Sequence, residues 1–321
     1  MTVPPRKILV MVEDGPDPVA LDSALALAER HGAALEPVTC VEPPPDLRIL
    51  ARLAGEDPER LLALRVAQAR DRLREQLAAR MPEPPAEPRV LVGKAYLEII
   101  RHVARSGCDF VVKTAEPLSG VTRFLLASTD QHLLRKCPCP VWLQTAGAPP
   151  RPRRILAAVD LDLSDAAEPD TLADLNRRVV ATARQVAAAD GAEVTVLHAW
   201  DAVGEGMLWA FSGGDDARMS VDRYVNEILG ARQAAMDRFL ATLDPASGPR
   251  LVPRRARGAP ETVIRAQSRA PGTDLVVIGT VARTGMSGVF IGNTAENIIN
   301  SIECPVLAVK PAGFTSPLLR D

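Results

Sequence analysis

Short, continuous apolar runs alternate along this chain with longer stretches whose apolar positions recur every three or four residues. The runs KILVMV (7–12), ALEPVTCV (34–41), RVLV (89–92), FVVK (110–113) and VWLQ (141–144) read as strands. Between them, residues 19–31, 58–80, 95–105 and 128–136 carry helical spacing. Leu21, Ala24, Leu25 and Ala28 mark one face of the first helix, and Leu62, Val66, Ala69, Leu73 and Leu77 one face of the second. Gly32 follows the first helix as a stop signal. The same order returns as ILAAVD (155–160), helix 172–189, EVTVLHAW (193–200), helix 220–243, RLVPRRA (250–256), helix 261–268, LVVIG (275–279), helix 294–302 and VLAVK (306–310). Strands without polar alternation are buried on both faces. Alternation with helices then predicts a parallel sheet with right-handed crossovers and helices on both sides.

The recurrence is a measurable repeat. Gly93 and Gly258, Asp109 and Asp274, Thr129 and Thr294, and Cys139-Pro140-Val141 and Cys304-Pro305-Val306 all lie 165 residues apart. Lys7-Ile8-Leu9-Val10 matches Arg154-Ile155-Leu156-Ala157 at an offset of 147, so the second copy is longer by 18 residues ahead of its glycine. A period this long describes two whole domains rather than solenoid repeats. We place them at 1–147 and 153–312, with the proline-rich AGAPPRPRR (146–154) as the seam. The expected architecture is α/β: two tandem, doubly wound, five-stranded parallel-sheet domains of Rossmann-like type. Joining them through their last strands, 141–144 and 306–310, would hide two sheet edges. That makes a pseudo-dimer within one chain and leaves room for a further homodimer.

Composition narrows the function classes. A net charge of −2 gives no electrostatic case for nucleic acid or an acidic membrane. No apolar run approaches the roughly 20 residues that span a bilayer, and a cytoplasmic location is expected. The five cysteines (40, 108, 137, 139, 304) form neither a CxxC pair nor an even framework. The four histidines are scattered over different elements, and no nucleophile, general acid or metal cluster emerges. Catalytic and metal residues are therefore expected to be absent.

In such sheets ligands sit beyond the carboxyl ends of the strands. That edge carries Glu13, Cys40 and Thr114 in the first half and Asp160, Ala199, Trp200 and Gly279 in the second. The stretches GTVARTG with GNTAENII in one half, and STDQHLLRKCPCPVW in the other, resemble the universal stress protein family, in particular its tandem members of the E type. The resemblance implies an adenine-nucleotide-hydrolase-like fold. It also implies a phosphate-binding pattern of Gly, two residues, Gly, nine residues, then Gly followed by Ser or Thr. In the second half those positions are Gly279, Ala282, Gly292 and Asn293, with Thr294 as a further phosphate donor; Asp160 matches the acidic residue near the adenosine and Ala199 the small residue against the base. Alanine at 282 adds a β-carbon where the chain must approach phosphates. Asn293 is expected to cap the helix and form a capping box with Glu296. In the first half the pattern falls on Thr114, Pro117, Ala127 and Ser128, where proline lacks an amide donor; that site is expected to have lost its ligand, with Ser128 and Gln131 serving as a helix cap.

The expected function is a non-enzymatic stress-response regulator that binds a small molecule, nucleotide or apolar metabolite, in the second half. Two alternatives stay open: a switch that binds ATP with Mg²⁺ and hydrolyses it slowly, and a structural interaction protein with both pockets closed. The apolar segment Met207–Phe211 reads as a loop, either a lid or a contact surface. Ser212-Gly213-Gly214-Asp215-Asp216 resembles an ATP-pyrophosphatase loop but follows the wrong strand for that role.

Overall fold

The computed structural model describes residues 3–13, 19–81, 83–84, 88–116, 128–163, 166, 168–187, 191–211, 214–244, 248–270, 272–280 and 292–319. The first half contains β1 (Lys7–Met11), α1 (Val19–His31), β2 (Ala34–Val41), α2 (Leu47–Ala54), α3 (Pro58–Ala78), β3 (Arg89–Val92), α4 (Ala95–Ser106), β4 (Phe110–Thr114), α5 (Thr129–Lys136) and β5 (Val141–Gln144). The second contains β6 (Arg154–Ala158), α6 (Pro169–Val186), β7 (Glu193–Trp200), α7 (Glu205–Phe211), α8 (Gly214–Ala241), β8 (Arg250–Arg257), α9 (Pro260–Ser268), β9 (Leu275–Gly279), α10 (Asn293–Ser301) and β10 (Val306–Val309). No helix among the described residues is long and apolar enough to cross a membrane.

The ten strands of the described residues form one sheet in the order β3-β2-β1-β4-β5-β10-β9-β6-β7-β8. Every pairing is parallel except the central one, where β5 and β10 run antiparallel with Leu307 opposite Trp142. The two last strands thus close on each other, as expected from the need to cover exposed ladder groups. The outer strand β8 carries Pro253 and four arginines along RLVPRRAR, residues that discourage a further strand from pairing there.

Strand alternation builds one core on each side of this sheet. Ile8, Val10, Val112, Trp142, Val277 and Leu307 face α1, α3, α6 and α8. Leu9, Val111, Val141, Leu156, Val276 and Ala308 face α4, α5, α9 and α10. Both cores run through the seam without interruption.

Two repeated sequence features turn out to be structural clips. Asp109 accepts the amides of Arg6 (3.0 Å) and Lys7 (3.0 Å), and Asp274 those of Arg153 (2.8 Å) and Arg154 (2.9 Å), fixing the entry of β1 and β6 against the neighbouring strand. Gly93 and Gly258 follow β3 and β8 at φ 135° and 132°, backbone that a β-carbon disfavours, and each returns its amide to the adjacent strand.

Some boundaries differ from the sequence reading. The residues after β2 form a separate helix, α2, and Met207–Phe211 lie in the helix α7 instead of a loop. Helix α8 starts at Gly214, so residues 214–216 belong to its first turn; Ser212 and Gly213 lie outside the described residues. Met207 and Trp209 remain substantially exposed.

Candidate functional site at the carboxyl edge

In the first half, where the ligand site is expected to be lost, the carboxyl edge is occupied by the chain's own charges. Lys113, on β4 and only 1% exposed, donates to the Thr114 carbonyl at 2.7 Å. Its ammonium lies 2.8 Å from Glu13 and 2.9 Å from Asp130. Burial alone would lower its pKa; Asp130 and Glu13 more than offset this and hold it above the ordinary lysine value. At the start of α5, the Thr129 amide donates to the Glu116 carboxylate at 3.1 Å, the Glu116 amide to Asp130 at 2.6 Å, and the Gln131 amide to the Ser128 hydroxyl at 3.2 Å. Burial, with Asp130 nearby, pushes Glu116 above the usual carboxylate range. A helix N-terminus favours an anion, and here a side-chain carboxylate supplies it. Ser128 caps α5 as expected, while the Gln131 side chain reaches across to Asn300 at 3.2 Å and so does not close the box. Pro117 and Ala127 lie outside the described residues.

In the second half the corresponding residues cannot form this plug. At the 165-residue offset, Lys113 becomes Ile278 and Asp130 becomes Ala295, both buried. Only the strand-end acid persists, as Asp160 for Glu13. Asn176 of α6 fixes the Asp160 backbone by a reciprocal pair, accepting from its amide at 3.0 Å and donating to its carbonyl at 2.6 Å. The Asp160 carboxylate accepts the amide of Asp162 at 3.2 Å, and Asp162 in turn pairs with Arg232 at 2.6 Å. Behind it, His198 is 1% exposed, with Nδ1 3.4 Å from both the Val159 carbonyl and the Leu161 amide. Burial lowers its pKa although Asp160 pulls the other way. Ala199 is half-buried on β7 opposite Ala256.

Helix α10 opens on Gly292, which is buried and makes no side-chain cap bond. Its amide reaches the Thr280 carbonyl at 3.4 Å, and the Glu296 amide closes back on the Gly292 carbonyl at 3.0 Å. The expected cap at Asn293 is therefore corrected: Asn293 is the first helical residue, and Gly292 takes the capping position. The expected capping box falls with it, and the Glu296 carboxylate pairs with Arg135 across the seam instead. Thr294 sits in the first turn, exposed. Ala282, Gly285 and Gly288 lie outside the described residues.

Gly279 acquires a packing explanation. A β-carbon there would stand 2.7 Å from Leu175 Cδ2 and 2.9 Å from Cγ, so the missing side chain is what lets α6 lie on β9. Gly279 by itself carries no argument for a phosphate. Gly279→Ala is expected to lower stability by about 1–3 kcal/mol through overpacking, measured by urea unfolding. A loss under about 0.5 kcal/mol would mean that Leu175 yields freely.

Thus Asp160, Ala199, Gly279, Gly292 and Thr294 border one sheet edge, reached from β6, β7, β9 and α10. Sequence reasoning missed Lys113, Asp130 and Glu116. Their signal was available: Lys113 is one of five lysines in the chain and interrupts the apolar run FVVKT.

A family model described as the universal stress protein family matches residues 5–143 and again 152–310. Universal stress protein E of Salmonella typhi is 31% identical over 224 residues, covering 70% of this chain and 67% of its own. That of Escherichia coli K12 is 29% identical over 223 residues, with the same coverage. Among solved structures, a protein of unknown function from Pseudomonas aeruginosa PAO1 superposes with a TM-score of 0.63 at 24% identity, covering 96% of this chain and 93% of its own. A universal stress protein from Archaeoglobus fulgidus gives 0.52 at 16% identity, covering 96% and 97%. At such identities these two structures speak for the fold alone.

Proposed function

The chain belongs to the universal stress protein family, matched twice in tandem, and from that premise we propose that it is a non-enzymatic stress-response protein whose second half, 153–312, binds a small anionic ligand while the first, 1–147, serves as a closed partner. One observation carries this reading. The first half answers the α5 N-terminus and Glu13 with its own Glu116 and Lys113, whereas α10 starts without a side-chain cap and the positions matching Lys113 and Asp130 hold Ile278 and Ala295. A helix start with no side-chain cap among the described residues, beside a strand-end carboxylate, suits a ligand with a phosphate at one end and hydroxyl donors at the other. A nucleotide with Mg²⁺ is the first such ligand to test. Asp160, Ala199, Gly292, Asn293 and Thr294 would hold it, with Gly279 and Ala282 at its margin.

Equilibrium binding of labelled ATP with Mg²⁺ provides the test. The wild type should bind saturably in the micromolar range, and Gly292→Trp should weaken binding by at least about 30-fold, the loss of roughly 2 kcal/mol. Ser128→Trp, at the corresponding helix start in the first half, should leave binding unchanged. An absence of saturable nucleotide binding by the wild type would remove the nucleotide reading. Equal losses in both variants would overturn the assignment to the second half.

A further inference from the structure

Cys137 and Cys139 flank one proline between α5 and β5, and their sulfurs lie 3.6 Å apart. Cys137 is fully buried and Cys139 nearly so. The repeat shows which residue is unusual: Cys139 recurs as Cys304, but Cys137 is replaced by Ile302. A second departure meets it from the other half. Lys310 follows β10, where the first half has Thr145, and its ammonium crosses the seam to donate to the Leu134 carbonyl in the last turn of α5. It is 2% exposed and lies 4.8 Å from the centre of the Phe314 ring. Among the described residues no carboxylate is in ion-pair contact with it.

The five thiols are not equivalent. Burial pushes Cys40 up to about 12 and Cys108 and Cys304 up to about 11. Cys137 moves the other way: its hydrogen bond with the Cys139 thiol outweighs burial, with help from the Cys139 amide and the Lys310 charge. Cys139 is correspondingly held above its ordinary value. The two thiols are shifted in opposite directions, Cys137 toward its charged form and Cys139 away from it. A nucleophilic thiolate beside a second, proton-bearing thiol is the arrangement that reduces an oxidant.

We propose that Cys137 and Cys139 form an oxidisable dithiol that reduces a hydroperoxide, with Lys310 of the other half as the positioning charge. Cys137 thiolate attacks the peroxide, forming an S–O bond as the O–O bond breaks, and the departing oxygen takes a proton to leave as water or alcohol. Cys139 then attacks the Cys137 sulfur; the S–S bond forms, the S–O bond breaks, and the hydroxide leaves as water with the Cys139 proton. Two thiols and one hydroperoxide give one disulfide, one water and one alcohol, or two waters from hydrogen peroxide. Peroxide is small enough to enter through local opening, whereas bulky thiol reagents are excluded. Oxidation would also remove the ionisable Cys137 thiol with which Lys310 interacts electrostatically. This inference goes beyond the ligand reading and is independent of it.

The test is peptide mass spectrometry of the full chain after graded hydrogen peroxide. The Cys137–Cys139 peptide should lose two hydrogens, reversibly with a thiol reductant, at concentrations that leave Cys40 and Cys304 reduced. In Cys139→Ser, the same treatment should leave a sulfenic acid on Cys137 that dimedone captures when the chain is unfolded in its presence after the peroxide is removed. Lys310→Met should slow disulfide formation about tenfold. If both thiols persist in the wild type while Cys40 is oxidised, or if they pass to sulfinic acids with no disulfide, the dithiol proposal fails. An unchanged rate in Lys310→Met would overturn the role of the lysine.

Discussion

Lys113→Met should destabilise the protein by about 3–5 kcal/mol. The ammonium is 1% exposed and neutralises Asp130, whose side chain is 11% exposed. Methionine conserves much of the volume, so the cost arises from the charges left behind. Asp130 would face Glu116, already pushed above its ordinary pKa, with no cation between them. Removing one partner of a buried pair is far more costly than removing both. Lys113→Met with Asp130→Asn should therefore recover more than half of the loss, because the side-chain carbonyl retained at position 130 can still accept the Glu116 amide. Urea unfolding of the single and double variants at neutral pH measures both. A loss under about 1 kcal/mol in Lys113→Met, or a double variant no better than the single, would show that the network is not the plug described above.

Lys310→Met should act in the opposite direction and stabilise the protein by about 2 kcal/mol at neutral pH. Burial pushes Lys310 down to about 8 from 10.5, equivalent to about 3 kcal/mol of desolvation cost when the group is protonated. Methionine removes that cost and forfeits about 1 kcal/mol from the hydrogen bond to the Leu134 carbonyl. The sign with pH follows from the lowered value. Between about 8 and 10.5 the unfolded chain holds a proton that the folded one has released, so wild-type stability gains from this group as pH rises and loses it as pH falls through 8. Lys310→Met should lack that component. Thermal or urea unfolding from pH 7 to 10 reads it directly. A variant less stable than wild type at pH 7, or one with an unchanged pH slope, would contradict the account.

The opposite signs show why buried charge cannot be weighed by residue type. Lys113 and Lys310 each lie at the carboxyl end of a buried strand, and both read as interruptions of an apolar run. Two carboxylates meet the first, one from the end of β1 and one from α5. The second finds a carbonyl, a ring and two thiols. Neither set of partners was legible in the sequence.

Other positions divide along the same line. Asp109 and Asp274 were visible as a repeat, but not as clips for the entry of β1 and β6. Gly279 fitted a phosphate-loop pattern, and only the packing of Leu175 supplied its second explanation. Asn293 had the right type for a cap and stood one residue too far along, because the capping position of α10 is Gly292.

By itself the sequence determined the order of the strands, most of the helices between them, the burial of the strands on both faces and the doubling of the unit. Those properties are written in local periodicity and in an offset repeated along the chain, and each window of about ten residues carries its own share. The tertiary structure alone decided that the carboxyl edge of the first half is filled by Lys113, Glu13, Asp130 and Glu116, and which charges are paired. Such outcomes depend on groups far apart in the chain meeting at hydrogen-bond distance, Lys113 with Glu13 in one half and Lys310 with α5 of the other, and no local pattern encodes that meeting.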